Sequence, residues 1–262
     1  MSYTLPDTDR LTITEARESD RISTFVIEPL SPGYGMTVGH SLRRVLLTSL
    51  EGAAISAVSI EGVDHEFTTV KGMHEDVVEL ILNLKAMRVR SEATEPVTLK
   101  LSTKGPRVVT AADFAPTADV SVADPDHHLA TLGKDGKLVM EVTIEKGRGY
   151  VPVERKARET APIGTIAVDS VFSPIKRVHY EVEHTRVGGK TDFDKLTLEL
   201  VTDGTVTPAE AMNHAATILV EHFSLVGQAA QAAISQATSA VKKPAKTKKA
   251  STKKTTPKTV TK

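Results

Sequence analysis

Hydrophobic and polar positions along this chain recur with two different periods. Val97, Leu99 and Leu101 alternate with Thr98, Lys100 and Ser102. Met140, Val142 and Ile144 alternate with Glu141, Thr143 and Glu145, and Leu196, Leu198 and Leu200 with Thr197 and Glu199. A period of two with one dry face predicts half-buried antiparallel strands. Ile22–Ile27, Ala57–Ile60, Ile166–Phe172 and His179–Val182 read as further strands of weaker pattern. Three stretches take the helical period instead. Thr37 to Leu50 places Val38, Leu42, Val45, Leu46 and Ser49 on one side, with Gly52 as a stop signal. Met73 to Lys85 carries Met73, Val77, Leu80, Ile81 and Leu84. Its acidic start and its closing Lys85 both suit the helix dipole. Thr207-Pro208-Ala209-Glu210 is a capping box with proline at the first helical position. Met212, Ala216, Leu219, Phe223 and Val226 follow in steps of 4, 3, 4 and 3, a narrow seam suited to pairing with another helix. An ordinary core helix would read similarly. What favours pairing is that little chain remains to cover this one.

Composition sharpens this picture at the end of the chain. The 262 residues carry 33 Lys+Arg and 33 Asp+Glu, but nine of the lysines fall in 242–262, where no acidic residue occurs. The remainder therefore holds 24 basic residues against 33 acidic, an acidic body with a basic arm. The arm has no large aliphatic or aromatic residue to fold around, so 236–262 reads as a disordered tail. Gly227 to Val241, rich in Ala, Gln and Ser, reads as a frayed helix or linker. Lys242, Lys243, Lys246, Lys248, Lys249, Lys253 and Lys254 can neutralise phosphates in a salt-sensitive, sequence-independent way, and nothing among them could read bases. A merely solubilising tail is the competing expectation.

The absence of cysteine excludes a disulfide scaffold, a cysteine nucleophile and a zinc-finger-type site. No apolar run approaches the length of a membrane helix. The polar start, with Asp7 and Asp9, does not read as a signal peptide.

Candidate chemistry dissolves on inspection. Gly188-Gly189-Lys190-Thr191 resembles the end of a phosphate-binding loop, but His184 stands where the first glycine belongs and a strand follows where a helix should. Asp192 and Asp194 could hold a divalent cation, yet Lys195 follows, and a turn before a strand is favoured. His65-Glu66 and His74-Glu75 lack a second ligand at helical spacing, and Asp126-His127-His128 reads as a solvated loop. Gly147-Arg148-Gly149-Tyr150 lacks the third glycine of a dinucleotide fingerprint and reads as a turn with Tyr150 anchored. More informative is Arg43-Arg44 inside the otherwise apolar VGHSLRRVLL. Adjacent helical residues point about 100° apart, so one arginine is expected to border an apolar contact surface, a common interface composition. Two surface arginines with their stems lying along the helix are the alternative.

Taken in order, LRRVLL, EDVVELILNLK, GRGYVP and TDFDKL resemble the bacterial RNA polymerase alpha subunit family over roughly Leu11 to Leu225. The resemblance implies an α+β fold: a helix-and-sheet dimerisation subdomain (1–51 and 175–235) and an inserted, mostly β subdomain (52–174). It further implies a homodimer that nucleates assembly of the β and β′ subunits for transcription, with no active site in this chain. Mg and Zn are then expected only in the large subunits. By motif position Arg44 resembles the β-contact arginine, and Lys85 and Val168 resemble β′-facing positions. Val38, Leu42, Val45, Leu46, Met212, Ala216, Leu219 and Phe223 are expected at the dimer interface. A cytoplasmic, nucleoid-associated location, no membrane, and DNA reached through the assembled enzyme complete the expectation. The family usually adds a linker and a small DNA-binding domain. Here the lysine arm stands in that place, which puts upstream-promoter and activator contacts in doubt. A DNA-compacting protein acting through the arm is the alternative from another class, and a phosphotransferase using Gly189–Thr191 the weakest.

Overall fold

The computed structural model describes residues 11–156, 164–187 and 190–241. In chain order the elements are β1 (Thr12–Ser19), β2 (Ile22–Leu30), α1 (Tyr34–Thr48), β3 (Glu51–Ile60), α2 (Val77–Ala86), β4 (Val89–Ser91), β5 (Val97–Lys104), β6 (Arg107–Thr110), β7 (Val120–Val122), β8 (His128–Leu132), β9 (Lys137–Arg148), β10 (Tyr150–Val151), β11 (Thr165–Ala167), β12 (Ser170–Val171), β13 (Ile175–Val187), β14 (Lys190–Thr202) and α3 (Pro208–Val241). The fold is α+β, and every paired strand is antiparallel to its neighbour.

Two larger sheets, with the two-stranded pairs β6-β8 and β10-β12 beside them in the chain, organise the residues up to Leu219. One runs β1-β2-β14-β13, joining the start of the chain to strands more than 150 residues later. Its register sets Leu196 against Ile27, Leu198 against Phe25 and Leu200 against Ser23. The leucines of β14 therefore all point to one face, as alternation requires. That face forms a core with Leu42, Leu46 and Leu50 from α1 and its exit, Ile175 and Val178 from β13, and Ala211 and Ala215 from α3. The second sheet runs β5-β9-β3-β4-β7, with β11 on β3. It builds a separate core lying wholly within residues 53–168, around Val58, Leu80, Leu84, Leu101, Leu138, Met140 and Ile144.

The helix α1 buries Gly35, Gly39, Leu42 and Leu46, one stripe in steps of 4, 3 and 4. A Cβ on Gly39 would stand 2.7 Å from Tyr180 Cδ2 and 2.9 Å from Leu196 Cδ1. Glycine there lets the helix backbone lie directly on β13 and β14. Its first turn is closed from outside: the Gly35 N–H donates to Asp194 Oδ2 at 3.0 Å, satisfying one of the orphan amides of a helix start.

Several expectations change. The Gly52 stop signal is inside β3, and α1 ends at Thr48 instead, with Ser49 as its C-cap. Glycine is needed at 52 for another reason, since a Cβ there would sit 2.0 Å from the Phe172 carbonyl oxygen. Asp192 and Asp194 lie in β14, not in a turn before it. The second helix begins at Val77 because Asp76 accepts the Glu79 N–H and caps it. Met73 falls outside it, bridged to Leu132. Helical structure runs on through Gly227 to Val241, so 236–241 is helix rather than part of the tail. From Val220 the chain forms a second unit, described by itself as the outer length of α3. There Val220, Phe223, Leu225 and Val226 are exposed apolar side chains on a helix. The lysines from Lys242 onward lie outside the described residues.

Candidate partner interfaces

Three surfaces carry the residues singled out from sequence. The first is on α1. His40, Arg43, Arg44, Leu47 and Thr48 line an open groove of about 490 Å³. Both arginines are exposed and both reach it, where only one was expected to border a contact surface. Both stand about one turn before Leu47, whose partly buried side chain supplies the apolar side. Val38 and Val45 are half-buried, whereas Leu42 and Leu46 are 5% and 0% exposed. The last two belong to the chain's own core, because the stripe facing β14 runs through them. They cannot offer area to a partner.

The second surface lies between α2 and the β11–β12 segment. A groove of about 270 Å³ is lined by Phe67, Val78, Leu82, Lys85, Val168 and Asp169, among others. Phe67 is 80% exposed, and sequence reasoning passed over it. The available signal was a lone large aromatic within the polar run HEFTTVKG. Lys85 Nζ donates to Asp169 Oδ2 at 2.9 Å and lies 5.9 Å from the Tyr150 ring centroid. The Val153 N–H donates to the other oxygen, Asp169 Oδ1, at 3.0 Å. The hydrogen bond from Lys85, then that from Val153, hold the Asp169 carboxyl below the usual carboxylate range. Desolvation and then Asp169 push the Tyr150 hydroxyl up. The turn read from sequence is smaller than expected: Gly147 lies inside β9 opposite Gly52, only Gly149 takes a positive φ (65°), and Tyr150, which opens β10, is 52% exposed. Lys85 is a fixed, paired cation at the rim. Val168 is only 1% exposed; it is a core residue that floors the groove, not a projecting contact.

Beneath this groove Lys156 is half-buried. Its ammonium donates to the Ser56 carbonyl at 2.9 Å, to Ser170 Oγ at 2.7 Å and to the Val168 carbonyl. Burial lowers its pKa against the opposing pull of Glu145 and Asp169. Every acceptor is an uncharged backbone or hydroxyl oxygen, so the amine acts as a pin between β3 and β12.

The third surface is α3. The capping box is present as read: Glu210 N–H donates to Thr207 Oγ1 at 3.3 Å, and Thr207 N–H to Glu210 Oε2 at 3.0 Å. Ala211 and Ala215 face the core, while Met212 and Leu219 are half-buried and Ala216 is exposed. Phe223 is 66% exposed. The seam read from sequence is therefore rotated away from the core stripe by one position.

The catalytic look-alikes stay apart. Gly188 and Gly189 lie outside the described residues, and Lys190 opens β14. His127 Nε2 contacts the Asn83 carbonyl at 2.9 Å. His128 opens β8, 3.4 Å from Glu75, whose carboxylate accepts the Thr131 N–H at 2.7 Å. These are structural contacts where a solvated loop was expected. Among the described residues no three His, Cys, Asp or Glu groups converge on a possible metal site, and no helix is long and apolar enough to cross a membrane.

Residues 58–173 match the model of the RNA polymerase Rpb3/RpoA insert domain. The DNA-directed RNA polymerase subunit alpha of Symbiobacterium thermophilum is 53% identical over 208 residues, 79% of this chain and 66% of that protein. Its counterpart in Clostridium acetobutylicum is 51% identical over 216 residues, 82% of this chain and 69% of that protein. That of Moorella thermoacetica is 51% identical over 206 residues. The chain spans about two thirds of the length of the curated relatives it matches.

Proposed function

Because the chain belongs to the family of DNA-directed RNA polymerase alpha subunits, we propose that it is the assembly subunit of that nucleotidyl-transferring complex and performs no chemistry itself. The observation that carries this is the kinship: 51% identity across 82% of the chain with a protein of that name. In this reading two copies pair through α1 and α3. The pairing face comprises Val38, Val45, Met212, Ala216, Leu219 and Phe223. The dimerisation subdomain is 1–51 with 175–235, and the inserted subdomain is 52–174. The two separate cores support that division, one drawn from 25–50 and 175–215 and the other from 55–168.

One copy then binds the β subunit through the Arg44 groove. The other binds β′ through the Lys85 groove, with Phe67, Val78 and Leu82 supplying area that the buried Val168 cannot. The lysine arm holds DNA without reading it, and any Mg or Zn of the enzyme belongs to its large subunits. The site of action is the bacterial cytoplasm, at the nucleoid.

Size exclusion with light scattering tests the core of this reading. The 28.2 kDa chain is expected to run as a dimer and to shift to a larger species carrying two copies and one β subunit. A monomer indifferent to β overturns it.

A further inference from the structure

Two passages of chain join the two cores. The outgoing one leaves the first core at Leu50 and enters β3. The return one leaves the second core at Val168 and reaches the first at Ile175. Bodies linked in this way move relative to each other unless packing between them prevents it. Here the passages meet. Gly52 on β3 stands opposite Gly147 on β9, so two neighbouring strands present no side chain at that point. Phe172, on the return passage, fills the gap. Its carbonyl oxygen lies 2.0 Å from where a Cβ on Gly52 would stand, and its ring lies 2.8 Å from where a Cβ on Gly147 would stand. Glycine within a strand marks such a close approach, and an aromatic ring over it restores contacts that the missing side chain leaves open. The backbone is fastened on both sides of the ring. The Phe172 N–H donates to the Gly149 carbonyl at 2.8 Å, and Ser170 Oγ donates to the Ile55 carbonyl at 2.7 Å. Two residues later the Pro174 carbonyl accepts the Asp203 N–H at 3.0 Å, which ties the passage to the turn after β14. Phe172 is 5% exposed, yet it joins neither core. It belongs to the junction.

We propose that Phe172 is a positioning residue. Seated on the Gly52–Gly147 pair, it fixes the inserted subdomain against the dimerisation subdomain and so holds the Lys85 groove in a constant relation to the Arg44 groove. The consequence for the large subunits rests on the assembly reading above. The Arg44 groove is built from residues 40–48 alone, and the Lys85 groove from residues 66–169. Loosening the junction therefore leaves β capture untouched. It matters to β′, which meets the insert of one copy while the pair already carries β. A partner of that kind pays in affinity for every orientation that does not fit it.

The test uses the full chain. It contains no cysteine, so Thr14→Cys on β1 and Ser102→Cys on β5, both exposed, place one spin label on each subdomain. Dilution with unlabelled chain leaves one labelled copy per dimer. Wild type is expected to show a single narrow distance between the labels. Phe172→Ala should broaden it. Gly147→Ala, which keeps the ring but displaces it, should do the same, and Phe172→Tyr, which keeps the ring in place, should not. With the cognate large subunits, Phe172→Ala should dimerise and capture β as wild type does. β′ should then join about tenfold more weakly, the loss expected if the fitting orientation is held about a tenth of the time. Melting curves and light scattering establish folding, and Gly147→Ala carries the test if Phe172→Ala does not fold. A distance that stays narrow in the folded variants overturns the proposal. So does an equal loss of β and β′ binding, which would make Phe172 an ordinary packing residue. Wild type that captures neither large subunit overturns the assembly reading, and the label distances then decide the junction by themselves.

Discussion

Asp194, in mid-strand, closes the first turn of a helix 159 residues earlier in the chain. Replacing it with alanine removes a capping acceptor and should cost about 0.5–2 kcal/mol. Asparagine, which still accepts, should cost less; thermal unfolding of both variants checks this. Glu210 gives the pH-dependent counterpart. The Thr207 N–H, then its hydroxyl, hold the Glu210 carboxyl below its ordinary range. A carboxylate lowered in the fold stabilises fully above its unfolded pKa, about 4.3, and loses that contribution as pH falls through the lower folded value. Glu210→Gln should therefore melt below wild type at pH 7, and the gap should close toward pH 3. Gly52→Ala should destabilise by about 1–3 kcal/mol through overpacking, because the new methyl meets a carbonyl oxygen rather than a yielding side chain. The Thr207–Glu210 box was legible in the sequence because both partners lie within four residues. The Asp194 cap and the reason for Gly52 were not, because their partners are remote in sequence.

At the scale of elements, strands with one dry face were legible: β5, β9 and the second half of β14 follow their alternation. The strand β1 was not, because all eight of its residues are exposed. It has no dry face to write into a pattern and is held by pairing with β2 alone. The start of α2 was misplaced for a related reason. Met73 continues the apolar phase of the helix, but the Asp76 cap fixes the true beginning. On α1 the stripes interleave, so Val38 and Val45 stayed available while Leu42 and Leu46 went to the core. Leu46→Ala should accordingly cost about 2–5 kcal/mol, read as loss of folding stability. By contrast, Phe223→Asp should leave the circular dichroism spectrum unchanged and convert dimer to monomer. A variant that remained dimeric would remove α3 from the proposed pairing face.

At the scale of the molecule, the opposition between acidic body and basic arm was legible from counting alone. Its consequence is a prediction on the assembled polymerase. Deleting 242–262 should reduce the salt sensitivity of DNA retention, by as much as about eight in the log–log slope if all nine lysines engage phosphate. An unchanged slope would assign the arm no part in DNA contact. The division of the core was not legible from periodicity, because a hydrophobic pattern says which face is dry but not what covers it. The family resemblance joined 1–51 to 175–235, and the register of β2 on β14 supplies the physical reason: it sets residues 22–30 beside 190–202 in one core.

That register also orders events during synthesis. A ribosome adding roughly 5–20 residues per second delivers β14 some ten to thirty seconds after β2. Throughout that interval Phe25, Ile27, Leu42 and Leu46 have no sheet partner to cover them. The core within residues 53–168 has all of its strands and α2 in hand first, and can close while its neighbour waits. The newborn chain is thus most exposed to misassociation along its first fifty residues, and the last-made strand and helix end that exposure.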